Sequence, residues 1–211
     1  MKSKSKSFED LNTIRRIMEE SSRFLSLSGL SGIFAGLIAL IGGAVAYFAI
    51  FKGNALLNSA YFTGLNAEET GIMRFWLIID SLLVLISAIG ASIFFSYRKS
   101  IRQGLKIWTP VSKRMLVSVL VPLITGGIFI IILYKENQWQ LIVPSMLVFY
   151  GLALANAGKF TYSEVFYLGL LEILIGLTSA LFPGFGIFFW CLGFGFLHII
   201  YGLIMYRKYE K

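Results

Sequence analysis

Six apolar runs dominate this chain, and each is about as long as a helix must be to cross a lipid bilayer. A spanning helix needs about 20 mostly apolar residues, whereas the strands of a membrane barrel are shorter and alternate in polarity. The runs therefore predict an all-α fold, a polytopic transmembrane helical bundle over residues 26–211. Its six predicted spans cover about residues 26–51, 72–97, 115–134, 141–157, 165–182 and 186–206.

The basic residues are distributed unevenly around these spans, and this predicts an orientation. Of the nineteen Lys and Arg, only Lys52, Arg74 and Lys135 lie outside the N-terminal arm, the alternate connections and the C-terminal tail. Connections rich in Lys and Arg stay on the cytoplasmic side of a membrane. We therefore expect both termini in the cytoplasm and the protein in the cell inner membrane as a multi-pass protein.

The charged residues also indicate which partners the chain has. Only 14% of the residues are charged, against about 25% in soluble domains, so lipid must solvate the outside of the bundle. The net charge of +8 lies beside the spans, which favours anionic headgroups on the cytoplasmic side over nucleic acid. The residues predicted to contact these headgroups are Arg98, Lys99, Arg102, Lys106, Trp108, Lys113 and Arg114.

The polar arm over residues 1–25 has a helical pattern of its own. Phe8, Leu11, Ile14 and Met18 recur at helical spacing, with charged residues on the other faces. Two interpretations remain open. The arm is either an amphipathic helix on the inner leaflet or a cytoplasmic extension of the first span.

Small residues follow one another at helical spacing on the first and sixth spans. Without bulky side chains, two helix backbones approach closely, and this drives helix association in lipid. We interpret these faces as packing surfaces inside the bundle, with a homodimer interface as the alternative. The residues concerned are Ser28, Gly32 and Gly36 on the first span and Gly193, Gly195 and Gly202 on the sixth.

Two carboxyl residues and the single histidine lie within the spans: Asp80 in the second, Glu172 in the fifth and His198 in the sixth. A charge near the bilayer centre costs at least about 2.5–3.5 kcal/mol, so such residues usually face a bundle interior or a wet cavity. Glu172 and His198 are expected to be neighbours because their spans are consecutive. Together the three residues are a candidate intramembrane polar site. The alternative is that Glu172 is protonated or bonded to a serine and that His198 is a neutral packing residue.

Reaction motifs that need a particular spacing are missing. The single His excludes multi-histidine iron sites, and neither HExxH nor GxxxxGK[ST] occurs. We therefore predict no metal site, no cofactor and no catalytic residue. At the connection between the fourth and fifth spans, Lys159 and Glu164 are placed to pair across the turn.

Two stretches carry a resemblance to a known family: GLALANAGKFTYSEVFYLGLLEILIGLTSALFPGFGIFFWCLGFGFLHIIYGLIMY, from Gly151 to Tyr206, and SYRKSIRQGLKIW, from Ser96 to Trp108. The first resembles the C-terminal half, and the second the inner basic connection, of a family of small bacterial six-span membrane proteins with no established activity. The resemblance implies a bacterial inner-membrane protein and no functional residue.

Three hypotheses about function follow. The first is a non-enzymatic membrane component that regulates, senses or assembles with a membrane-protein partner or a second copy of itself. The second is a small transporter or channel whose path is lined by Asp80, Glu172 and His198. The third is an intramembrane enzyme that acts on a lipid or isoprenoid.

Overall fold

A computed structural model describes residue 24 and residues 26–51, 67–104 and 107–211 of the protein. This part of the chain contains helices and no strand, and six helical segments are long and apolar enough to cross a membrane. The predicted helical class and the number of membrane-length helices are therefore confirmed. The proposed arm helix and Lys106 lie outside the described residues.

The helices correspond to the predicted spans and differ from them mainly at their ends. The first span is α1 (Gly29–Val45) with a π-helical extension, Ala46–Ile50. The second to fifth spans are α2 (Ala67–Arg102), α3 (Pro110–Lys135), α4 (Ile142–Gly158) and α5 (Ser163–Leu181), with a short 3-10 turn, Trp139–Leu141, before α4. The sixth span consists of α6 (Gly186–Trp190), a π-helical stretch (Cys191–Leu197) and α7 (His198–Tyr209).

Local residue chemistry explains the early start of α3. Thr109 is extended, and its Oγ1 accepts a hydrogen bond from the Ser112 backbone N–H at 3.1 Å. In return, Ser112 Oγ accepts from the Thr109 N–H at 2.8 Å, which completes a capping box. Pro110 occupies the first helical turn, where its missing N–H removes no helical hydrogen bond.

The first, fourth, fifth and sixth spans pack together, whereas the second and third lie at the edges of the bundle. The second span packs mainly on the first, and the third packs mainly on the fourth. Within its most apolar window, α2 has no buried residue. A site enclosed in the apolar middle of the bundle must therefore be built from the other spans.

The small residues bring the backbones of the first and sixth spans into contact. A Cβ added at Gly32 would lie 3.1 Å from the Cα of Gly202, and one added at Gly36 would lie 2.6 Å from the Gly195 carbonyl oxygen. Both series therefore face the inside of the chain's own bundle, as in the internal-packing interpretation. The close contact fixes the position of the sixth span, on which the candidate site depends.

Lys99 has a different place from the other predicted headgroup residues. Its side chain is 5% exposed, donates to the Leu27 carbonyl at 2.6 Å and lies 3.6 Å from Glu210 Oε1. An internal carboxylate and carbonyl therefore satisfy Lys99, which corrects its assignment to lipid. The exposed members of the predicted set are Arg98, Arg102, Trp108, Lys113 and Arg114.

The predicted pair between Lys159 and Glu164 does not form. Lys159 donates to Asn156 Oδ1 at 3.2 Å, which is one helical turn away on its own segment. Glu164 instead pairs with Lys208 at 2.5 Å, because α7 ends beside the start of α5. The end of the bundle that carries Arg98, Lys113, Arg114 and Lys208 is called the basic end below.

Candidate functional site

A carboxyl, an imidazole and a phenol meet in the middle of the bundle. Glu172 comes from α5, His198 from the start of α7 and Tyr150 from α4. Glu172 is 0% exposed and His198 is 5% exposed. Glu172 Oε1 lies 3.4 Å from His198 Nδ1, so the structure brings together the two residues whose consecutive spans suggested that they are neighbours.

Both ring nitrogens of His198 have a polar partner. Nδ1 lies 3.1 Å from the Gly193 carbonyl oxygen, which can only accept, so Nδ1 carries a hydrogen. Nε2 lies 2.8 Å from the Tyr150 hydroxyl. In the neutral ring, Tyr150 donates to Nε2, whereas in the charged ring Nε2 donates to Tyr150. These two contacts hold the ring in one orientation.

The Glu172 carboxyl differs from the His198 ring in its hydrogen bonding. Neither carboxyl oxygen has a hydrogen-bond partner among the residues that the structure describes. The contact with His198 is electrostatic, because the hydrogen on Nδ1 is directed to the Gly193 carbonyl. An isolated buried carboxylate is costly unless it is paired and hydrogen-bonded. One proton, held by Glu172 or by His198, therefore keeps the pair free of net charge.

The π-helical stretch Cys191–Leu197 builds one wall of this site. A Cβ added at Gly193 would lie 2.6 Å from Glu172 Oε2 and 2.5 Å from Leu147 Cδ2. Only a glycine allows the backbone and the carboxyl to approach this closely. π-Helical turns inside α-helices often occur at functional sites, and here the turn supplies both the carbonyl for His198 and the space for Glu172.

Asp80 is not part of this cluster. A Cβ added at Gly42 would lie 3.6 Å from Asp80 Oδ2, so the carboxyl faces the first span. Within the described ranges, no ion pair or hydrogen bond joins Asp80 to Glu172 or His198. The three-residue site expected from the sequence is therefore divided, because α2 packs at the edge of the bundle.

Tyr150 is the member that sequence reasoning missed. A tyrosine in an apolar helix carries no special signal, since its ring suits both a core and a membrane interface. Its role is visible only in the folded structure. The ring centroids of Tyr150 and Phe194 lie 5.2 Å apart, and the Tyr150 hydroxyl lies 2.8 Å from His198 Nε2. The only sequence sign of the π-helical wall is the closely spaced pair Gly193 and Gly195.

Neither a metal-binding group nor similarity to a known protein adds a functional assignment to this site. In the part of the chain that the structure describes, no group of three or more His, Cys, Asp or Glu is arranged to hold a metal ion. Comparisons with family models, with curated proteins and with solved structures found no match. The chemistry of the site must be argued from its own geometry.

Proposed function

We propose that this protein is a non-enzymatic component of the cell inner membrane and that its Glu172–His198–Tyr150 cluster binds and releases one proton. The observation that carries the proposal is Glu172, a fully buried carboxyl without a hydrogen-bond partner in the described structure. Intramembrane ionisable residues are rare, and they commonly mark ion or proton sites. The protein would then sense protons and regulate a process in the membrane.

The geometry gives this proton a structural effect. Release of the proton leaves one net negative charge between Glu172 and His198, at a position screened from solvent. Glu172 Oε2 lies against Gly193 of the π-helical stretch, so a change in the carboxyl acts directly on the sixth span. We propose that protonation favours the described packing and that deprotonation favours a more hydrated arrangement.

The arrangement favours this role over catalysis. Both ring nitrogens of His198 are occupied within the chain, by Gly193 and by Tyr150, which leaves no free nitrogen to serve as a base towards a lipid. A sensing role implies a membrane-protein partner or a second copy of the chain. Affinity isolation from native membranes in mild detergent would identify it.

Infrared difference spectroscopy of the purified full chain tests the proposal. We expect a carbonyl band from a protonated carboxyl that changes with pH and is missing in Glu172→Gln, which has nearly the same shape. Glu164→Gln is the matched control, because Glu164 lies at the basic end in a pair with Lys208. A carboxyl band that is the same in wild type and Glu172→Gln at every pH would contradict proton binding at Glu172.

A further inference from the structure

The two ends of the sixth span pack on different neighbours. At the end opposite the basic end, α6 packs more on α4 and α5 than on the first span, and a Cβ added at Gly186 would lie 3.5 Å from Val143 Cγ2 of α4. At the basic end, α7 packs mainly on the first span, where a Cβ added at Gly202 would lie 2.6 Å from the Gly29 carbonyl oxygen. The sixth span therefore passes from one group of helices to another.

This packing divides the bundle into two groups of helices. The first group contains α1, α2 and α7, and the second group contains α3, α4, α5 and α6. The π-helical stretch Cys191–Leu197 joins α6 of the second group to α7 of the first. Helices commonly bend at π-helical turns and at glycines, and this stretch contains both Gly193 and Gly195. It is therefore the place at which the sixth span can bend, and it is called the hinge below.

The proton site lies at this hinge. Glu172 and Tyr150 belong to the second group, His198 belongs to the first, and Gly193 belongs to the hinge itself. His198 Nδ1 lies 3.1 Å from the Gly193 carbonyl oxygen and 3.4 Å from Glu172 Oε1. A change of charge on Glu172 therefore acts between the two groups of helices.

No cation compensates for a charge on Glu172. Among the described residues, the titratable groups that face it are His198 of the sixth span and, through the His198 ring, Tyr150 of α4. Cys191 of the hinge lies against Gly43 of the first span, and α6 has no titratable side chain. The Lys side chains that form ion pairs in this part of the chain have other carboxylate partners. Loss of the proton therefore leaves a net negative charge in an apolar interior, which is costly.

The basic end joins the two groups by several polar contacts. Thr161 Oγ1, just before α5, donates to the Phe24 carbonyl at 2.6 Å, and the Phe24 N–H donates to the Phe160 carbonyl at 2.7 Å. Lys208 of α7 pairs with Glu164 of α5 at 2.5 Å. Separation of the groups at this end would break all of these contacts.

The opposite end is joined less firmly. Arg74 of α2 reaches the second group through an exposed hydrogen bond to Asn137 at 3.4 Å and a contact over the Trp139 ring, and such exposed contacts contribute little to stability. Lipid tails can replace the apolar contact of Ile187 with the first and second spans. The buried atoms Trp139 Nε1 and Ser179 Oγ have no hydrogen-bond partner among the described residues. The opposite end therefore has fewer polar contacts to lose than the basic end.

We infer that the sixth span contains a pH-dependent hinge: when Glu172 loses its proton, the π-helical stretch bends and the two groups of helices separate at the opposite end, while the basic end stays closed. The inference rests on the proposed proton site and adds the movement that the proton controls. The charged carboxylate is costly in the closed arrangement and can be hydrated in the open one, so its charge state shifts the equilibrium between the two.

Distances between spin labels, measured by double electron–electron resonance at several pH values, test this inference. In the full chain with Cys191→Ser, labels at Ile72→Cys on α2 and Leu181→Cys on α5 measure the opposite end. Labels at Arg102→Cys on α2 and Lys159→Cys after α4 measure the basic end. All four labelled positions are exposed. As the pH rises through the titration of the Glu172 infrared band, we expect the first distance to lengthen by several ångström and the second to stay constant.

Two carboxyl variants separate the proton on Glu172 from other effects of pH. Glu172→Gln keeps the shape of the protonated carboxyl and cannot ionise, so the distance at the opposite end should stay short at every pH. Asp80→Asn is the matched control, because Asp80 is also an intramembrane carboxyl but lies against Gly42 within the first group. Its distance should lengthen with pH as in the wild type. If Glu172→Gln does not elute from size exclusion as the wild type does, the two label pairs without this variant still decide whether only one end opens.

The possible outcomes distinguish the hinge from the proton site on which it rests. A distance at the opposite end that stays constant while the Glu172 band titrates would overturn the hinge and leave the proton site in place. Equal lengthening at both ends would also overturn the hinge, and so would loss of the response in Asp80→Asn. If neither the distance nor the band changes with pH, both the hinge and the proton site are rejected.

Discussion

At the scale of single residues, the site depends on how closely Gly193 approaches Glu172. The Cβ of any other residue at this position would collide with both the carboxyl and Leu147. The approach places a polar backbone beside the carboxyl in the middle of an apolar bundle. A change of one methyl group at Gly193 therefore tests whether this geometry is needed.

We predict that Gly193→Ala destabilises the protein and also disturbs proton binding. Overpacking of a well-packed interior typically costs about 1–3 kcal/mol, and here the added methyl displaces the carboxyl itself. Thermal unfolding in detergent should show a lower Tm, and the Glu172 infrared band should shift. Gly127→Ala is the matched control, because a Cβ there meets nothing within 4 Å.

The control variant Gly127→Ala should raise the stability slightly or leave it unchanged. Replacing a helical glycine by alanine in open space removes about 0.5–1 kcal/mol of backbone entropy penalty. An unchanged Tm and an unshifted band in Gly193→Ala would show that the wall of the site can relax, and the close approach would then lose its significance.

Only part of this site could be predicted from the sequence. The pairing of Glu172 with His198 follows from two rare ionisable residues on consecutive spans. Tyr150 does not follow, because its apolar surroundings resemble those of any other membrane tyrosine. In the sequence Asp80 cannot be distinguished from Glu172, because both are carboxyl residues within an apolar span. Only the packing of α2 at the edge of the bundle separates the two residues.

At the scale of helices, hydropathy predicts where each membrane-length segment lies but not the details of its backbone. The apolar stretch of α2 ends near Tyr97, yet the helix continues to Arg102, because a helix also accepts charged residues once it leaves the apolar layer. The π-helical stretch Cys191–Leu197 has no hydropathy signal at all. The pattern of apolar residues does not distinguish a π turn from an α turn.

Glu210 joins three helices at the basic end, which makes the C-terminal tail part of the bundle. Its carboxylate accepts from the Gly29 N–H at 2.5 Å and from Ser28 Oγ at 3.2 Å, and it pairs with Lys99. The N-terminus of α1 carries a partial positive charge and unpaired N–H groups, so a carboxylate is a favourable cap there.

We predict that Glu210→Ala destabilises the protein by up to about 3 kcal/mol, because it leaves the buried Lys99 charge without its carboxylate. Lys99→Met in the Glu210→Ala background should recover part of that loss in Tm, since the unpaired charge is then removed. Arg98→Met is the control, because the neighbouring Arg98 side chain is exposed. Equal losses in the single and double variants would argue against the ion pair.

At the scale of the whole molecule, the two ends of the bundle differ in charge. The exposed basic residues Arg98, Arg102, Lys113 and Arg114 surround the end at which α7 terminates. At the opposite end, Arg74 lies over the Trp139 ring at 4.1 Å. It donates to Asn137 Oδ1 at 3.4 Å. The asymmetry supports an orientation with the basic end in the cytoplasm, next to anionic headgroups.

Thiol labelling of intact cells checks this orientation. In a Cys191→Ser background, which removes the single native cysteine, new cysteines are introduced by Trp108→Cys and by Asn137→Cys at opposite ends of the bundle. Both positions are exposed. We expect a membrane-impermeant reagent to label Asn137→Cys in intact cells and Trp108→Cys only after permeabilisation.

The orientation also determines which side of the membrane the exposed basic residues face. Labelling of Trp108→Cys in intact cells would contradict the expected orientation and would place the basic end outside the cell. The Glu172 site would be unaffected, because its proton binding depends on local packing and not on the direction in which the bundle crosses the membrane.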